Sequence, residues 1–336
     1  MARNRFVRLT LLSSSNFISA GIENKTKFAI RLIQFYLQQL LLSFGCGAKT
    51  FALNENNVIG SDVEKLDIDF PIDQCDFEIR SVDDSKQIWT NLACELIRSN
   101  GGQQNVKFLV IGNARSLIEN DSVSEPIIAE GNGNLALIIF QRIDLWPHSI
   151  DSLRHILDNN GCISRSEYSH CLGAILHELC HTFDLNHTKS GIMSRDFSNI
   201  LDVFSHVLDS KCEREEIIKR DVYGESIFST SGLKILTNHA WLNNFDQCEL
   251  PNVKIDGCSV KLHCSNDEVV LKLVQVCLND EVVKEFETSS TEFSLRRDDI
   301  LSLNLGGRHE LNLLIMDSVG NVYRKQMKVF DVYLNV

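Results

Sequence analysis

The chain has 336 residues, room for one large domain or two ordinary ones. Hydrophobic residues make up 43%, enough for a sizeable core, which excludes a mainly disordered chain. Its 45 acidic against 33 basic side chains leave a net charge of −12, which argues against sequence-independent nucleic-acid binding, where Lys and Arg must neutralise phosphates.

The N-terminus carries Arg3, Arg5 and Arg8, no acidic residue before Glu23, and a serine run at 13–15. That composition resembles a mitochondrial transit peptide and fits a secretory signal less well, because Arg8 and the serines interrupt the apolar stretch. Residues 1–24 are read as an irregular lead-in. Phe28, Leu32, Phe35 and Leu40 predict a helix over 26–44 with Gly45 as its stop. Arg31 and three glutamines make it an amphipathic core helix and exclude a membrane span. Ile88, Trp89, Leu92, Ala93, Leu96 and Ile97 predict a second helix over 85–99, ended by Gly101-Gly102. Val106 to Ile111 reads as a buried strand, and Leu135 to Phe140 as another, entered through Gly131-Asn132-Gly133-Asn134. A short helix follows Ser149 and stops near Gly161. Ser164 and Glu167 have the spacing of a capping box and open a longer helix to about Phe183. Helical patterns return near 213–220 and 231–243.

After Pro251 the pattern turns to strands: Val269–Leu278, Glu281–Phe286, Thr291–Leu295, Glu310–Met316 and Val322–Val329, with hairpin-turn chemistry over Asp317–Asn321. The expected class is α+β. A boundary near 248–252 separates a mixed domain over 25–248 from a small β-sandwich-like domain over 252–336.

The segment that carries chemistry is His177-Glu178-Leu179-Cys180-His181, followed by His187. Two histidines four apart on a helix project from one face, one turn apart, so their imidazoles can share one Zn²⁺. Glu178 follows the first ligand and is placed for a water beside the metal, where a general base is needed. His187, six residues after His181, lies beyond the helix end and returns once the chain turns near Asp184. Three nitrogen ligands leave a fourth position open, the mark of a catalytic rather than a structural zinc site. Leu172, Ile175, Leu176, Leu179 and Phe183 form the stripe that would anchor this helix. Cys180 lies between the ligands but on another face, where a buried inert thiol is expected. A glycan on the Asn186 sequon would crowd the site, which favours a protein that is not secreted.

His-Glu-x-x-His followed by a third His resembles the metzincin zinc peptidases, whose usual pattern has Gly where this chain has Asp184. Gly serves there because the chain leaves the helix sharply, often at positive φ, and Asp is among the few residues that tolerate this. Ser190-Gly191-Ile192-Met193 resembles the Met-turn of that group, which implies that Met193 forms a hydrophobic floor under the metal. Residues 173–197, with Gly131-x-Gly133-x-Leu135-Ala136-Leu137, Trp146-Pro147, His239-Ala240-Trp241 and 45–53, resemble a little-characterised eukaryotic family of zinc metallopeptidases from fungi and animals. The resemblance covers roughly 25–245 and departs at Cys180, where the family has Gly. It implies a zincin-like domain in which the strand before the zinc helix is the substrate-holding rim, assigning Leu135, Ala136 and Leu137 to peptide binding; the alternative is an internal core strand.

The expected function is zinc-dependent hydrolysis of a peptide or protein substrate, with one ion on His177, His181 and His187 and Glu178 as general base. The alternative is a non-enzymatic zinc-containing protein whose β domain binds a glycan or protein partner. Eleven cysteines, an odd number with no Cys-x-x-Cys pair, favour a reduced cytoplasmic protein, with mitochondrial and secreted locations as alternatives.

Overall fold

The computed structural model describes residues 5–13, 20–53, 63–65, 78–79, 91, 106–113, 115–116, 128–140, 142–158, 161, 163–194, 200–201, 227–242, 252–256, 259–263, 269–278, 281–295, 299, 311–318 and 322–327. The helix expected near 213–220 and the boundary residues 248–251 lie outside them. Of the helix expected over 85–99 only residue 91 is described, and it is helical. The chain divides into two units: Arg3–Phe183 with Ser190–Ile227, and Asp184–Lys189 with Phe228–Val336.

In the first unit, the N-terminal residues depart from the irregular lead-in expected of them. Phe6–Ser13 forms strand β1, with Val7, Leu9 and Leu11 buried. The alternation of these apolar residues with Arg8 and Thr10 is a strand pattern. Helix α1 (Ala20–Ser43) follows. Its last turn closes as the sequence predicts at Gly45, which sits at φ 73. The Cys46 amide donates to the Leu41 carbonyl and the Gly45 amide to that of Leu42, both at 2.9 Å, a Schellman ending. Strands β2 (Val63–Lys65), β3 (Glu78–Ile79), β4 (Val106–Asn113), β5 (Arg115–Ser116), β6 (Ile128–Asn132) and β7 (Leu135–Phe140) come next.

Five of these strands make one sheet in the order β2-β1-β4-β7-β6. The pairs β1–β2, β1–β4 and β4–β7 are parallel, and β6 runs antiparallel to β7. β3 and β5 form a separate short parallel pair. β4 and β7 read as near-continuous apolar runs because both of their faces are covered. A 3-10 turn (Ile143–Leu145) leads to helix α2 (Ile150–Leu157), capped by Ser149. Helix α3 (Arg165–Thr182) packs on β6 and β7. Trp146 ties β7 to the first turn of α3: its ring meets Phe140 edge-on at 4.9 Å and Tyr168 at 5.8 Å between centroids.

The second unit holds helix α4 (Thr230–Asn238) and strands β8 (Asn252–Asp256), β9 (Ser259–His263), β10 (Leu271–Leu278), β11 (Glu281–Glu287), β12 (Glu292–Ser294), β13 (Leu311–Asp317) and β14 (Val322–Met327). An antiparallel sheet runs β11-β10-β13-β14, and a second runs β12-β9-β8. Val274, Val276, Leu313 and Ile315 belong to its buried cluster, against which Phe286 of β11 and Phe293 of β12 pack, their ring centroids 5.1 Å apart. Side chains from two sheets thus share one core, as in a sandwich. The architecture is α+β. No helix among the described residues is long and apolar enough to cross a membrane.

Candidate metal centre

Helix α3 begins at a capping box. The Ser164 hydroxyl accepts from the Glu167 amide at 3.2 Å, and the Glu167 carboxylate accepts from the Ser164 amide at 2.9 Å. Leu172, Ile175, Leu176, Leu179 and Phe183 are all buried, as their spacing predicts. The helix is covered on nearly every side from Tyr168 to Thr182, so its histidines are held by a rigid element. At its far end Lys107 is buried, and its ammonium donates to the carbonyls of Thr182 and, at 3.0 Å, Gly133. A cation there meets the negative end of the helix dipole.

The chain leaves α3 through Phe183 and Asp184. Asp184 has φ 64, the only positive φ of a non-glycine among the described residues. This is the conformation for which Asp substitutes for Gly. The turn brings His187 back: one ring nitrogen each from His177, His181 and His187 lies within 4.8 Å of the others. Nε2 of His177 and Nε2 of His181 are 3.1 Å apart. Two nitrogens each about 2.05 Å from a tetrahedral zinc lie roughly 3.3 Å apart, so the pair is spaced for one ion. His177 is buried, His181 partly buried and His187 exposed, a gradient that leaves one side of the cluster open.

Nδ1 of His177 lies 2.7 Å from the carbonyl oxygen of Ile192. A carbonyl only accepts, so Nδ1 carries the proton and the Nε2 lone pair is left for a metal. Ile192 precedes Met193 in a tight turn: Gly191 has φ 79, and the Ser194 amide donates to the Gly191 carbonyl at 3.0 Å. Met193 is buried. The donor set, three imidazoles of which one is orientated by a main-chain carbonyl, fits a borderline-soft divalent ion such as zinc.

Glu178, next to His177 in the helix, is buried. Desolvation pushes its carboxyl up to about 8, and the nearby Glu130 carboxylate adds to the rise. A cation on the histidines acts in the opposite sense. Cys180 is fully buried, and burial raises its thiol well above the ordinary range, the Glu178 charge contributing. It is a buried core thiol, as expected.

The rim assignment requires correction. Leu135, Ala136 and Leu137 lie in β7, which sits between β4 and β6, and all three are buried. Among the described residues, the strand at this end of the sheet is β6. Its Gly131 abuts α3 so closely that a Cβ would lie 2.2 Å from the Glu178 carbonyl oxygen. The sequence signal for β6 was the Gly131-x-Gly133 pair. It marks where strand backbone meets helix backbone at Gly131 and where the hairpin turns at Gly133, φ 57.

Residues 147–254 match the family model Metallopep, described as "Putative peptidase family". That stretch contains α3 and all three histidines. No curated protein matches the chain. Among solved structures, it is similar to catalytically inactive OgpA from Akkermansia muciniphila in complex with an O-glycopeptide (glycodrosocin) substrate. The TM-score is 0.52 at 11% identity, over 97% of this chain and 92% of that one. Wild-type OgpA in two crystal forms gives 0.51 at 14% identity and 0.52 at 13%, over 97% of this chain and 93% and 92% of theirs. The chain therefore carries a segment similar to a peptidase family around its α3 histidines, within a two-unit α+β fold similar to that of OgpA.

Proposed function

We propose that the chain is a zinc-dependent metallopeptidase of metzincin type, with His177, His181 and His187 as ligands of one ion and Glu178 as general base. The observation that carries this reading is the three-imidazole cluster at the end of α3, with His177 held in the tautomer a metal requires. The match of 147–254 to a peptidase family supports it. When bound, the ion supplies Lewis acidity toward a carbonyl and a water made acidic enough to attack it. Glu178 takes the proton of that water and returns it to the leaving amine. Gly131 keeps β6 against the helix at Glu178, so the outer edge of β6 offers main-chain groups to an extended peptide.

The substrate class is a peptide or protein. The complex of OgpA with an O-glycopeptide makes glycosylated peptides a second class to include. The test combines metal analysis of the purified chain with digestion of plain and O-glycosylated peptide libraries. About one zinc per chain is expected, with cleavage that Glu178→Gln reduces by roughly 10²- to 10⁴-fold while zinc is retained. Full activity of zinc-replete Glu178→Gln would remove the general base. Bound zinc with no cleavage of either library, and a tight glycan ligand, would establish the binding-protein alternative.

A further inference from the structure

The loop that carries His187 is fastened within the second unit. Asp184 accepts two hydrogen bonds through its two carboxylate oxygens: from Nε2 of His239 at 3.2 Å and from Nε of Arg324 at 3.3 Å. The same guanidinium reaches one residue pair further, its Nη1 donating to Oδ1 of Asn186 at 3.0 Å. The Asn186 amide in turn donates to Cys277 Sγ at 3.1 Å and to Gln275 Oε1 at 3.4 Å. The main chain is held as well: the Val282 amide donates to the His187 carbonyl at 3.2 Å, and His187 forms a parallel bridge with Glu281. Strands β10, β11 and β14 and the residue that caps α4 therefore converge on Asp184, Asn186 and His187.

The chemistry of the partners suits the task. The Trp241 amide donates to Nδ1 of His239 at 3.3 Å, so that nitrogen is unprotonated and the proton sits on Nε2, aimed at Asp184. The planar fork of Arg324 presents Nε and Nη1 to two acceptors at once, which a lysine ammonium on a flexible stem does not do. Asp184 occupies a left-handed conformation that a glycine would adopt without strain. Glycine would have no carboxylate for His239 and Arg324 to hold. The aspartate thus exchanges conformational ease for two fastening points immediately before the ligand.

We propose that Arg324 and His239 are positioning residues for His187. This rests on the reading of the three histidines as a metal site.

The test measures zinc affinity of the full-length chain by competition with a chromophoric chelator. It also records the visible spectrum of the Co²⁺-substituted protein, which reports coordination geometry. Arg324→Gln is the primary variant, because Arg324 is 41% exposed and its loss leaves the core intact. Arg324→Lys, His239→Gln and His187→Ala accompany it, each checked for native circular dichroism. Arg324→Gln is expected to weaken zinc binding by roughly 10- to 100-fold and to alter the cobalt spectrum. Arg324→Lys should recover part of the loss. The double variant Arg324→Gln/His187→Ala should bind no more weakly than His187→Ala alone, since both act through one ligand. Unchanged zinc affinity and cobalt spectrum in Arg324→Gln and His239→Gln, with His187→Ala clearly weakened, overturns the positioning role and leaves the metal site standing. Unchanged affinity in His187→Ala overturns the three-histidine site itself.

Discussion

Nδ1 of His177 donates to the carbonyl of Ile192 at 2.7 Å, so the turn that places Met193 also sets which imidazole nitrogen keeps a lone pair for a metal. The direction of that carbonyl depends on Gly191 at φ 79 and on the Ile192 amide, which donates to the Ile227 carbonyl at 2.9 Å. Gly191→Ala should strain the turn by about 1–2 kcal/mol and rotate the carbonyl away. Zinc affinity is expected to fall by roughly 10-fold or more, the usual effect of losing such an outer partner. Chelator competition reads this, and an unchanged constant in a folded variant would show that the carbonyl does not orient the ligand.

Gly131 predicts an effect on stability. A Cβ there would also lie 2.9 Å from the carbonyl carbon and Cα of Glu178, and main chain inside a packed helix cannot move aside. Gly131→Ala should cost about 1–3 kcal/mol through overpacking. Its hairpin neighbour Gly133 has nothing within 4 Å and φ 57, a conformation Asn accepts, so Gly133→Asn should shift stability little. Urea midpoints of the two variants separate these cases, and equal midpoints would contradict the close approach.

Lys107 closes the end of the ligand helix. Lys107→Met keeps the buried stem but leaves the Thr182 carbonyl without its cation. The expected loss is about 1–3 kcal/mol, with faster amide exchange in the last turn of α3. A change within about 0.5 kcal/mol, the range of neutral surface substitutions, would assign Lys107 no part in holding the helix.

The thiols give a pH-dependent prediction. Burial pushes Cys171 up to about 12, the Glu167 charge adding to it, while Cys46 is only partly buried. The thiolate is the reactive form, and a raised pKa lowers its fraction at every pH below that value. Between pH 7 and 9, iodoacetamide should modify Cys46 in the native chain and leave Cys171 and Cys180 unmodified until denaturation. Peptide mass mapping checks this, and equal native rates at Cys46 and Cys171 would contradict it. Modification of all eleven cysteines after denaturation without reductant is the result expected of a chain from a reducing compartment.

Local signals carried most of what the sequence could convey. The Ser164–Glu167 box, the apolar stripe of α3 and the tolerance of Asp184 for positive φ are properties of a few adjacent residues, and each is present in the structure. β1 was obscured because Arg3, Arg5 and Arg8 suggested a leader, although Val7, Leu9 and Leu11 alternate as a strand requires. The rim assignment to Leu135–Leu137 failed because an apolar run shows that a strand is covered, not which neighbours cover it. Among the described residues the end strand, Ile-Ala-Glu-Gly-Asn over 128–132, is short and weakly apolar, and its glycine pair was its one sequence signal. Arg324 was beyond reach of any spacing rule, since 140 positions separate it from Asp184.

That separation has a consequence for biosynthesis. Translation makes the His-Glu-x-x-His helix well before β14, so a nascent chain presents the imidazoles of His177 and His181 before the guanidinium that holds Asp184 and Asn186 has been made. The fastening of the His187 loop is therefore a late step of folding, one that awaits strand β14.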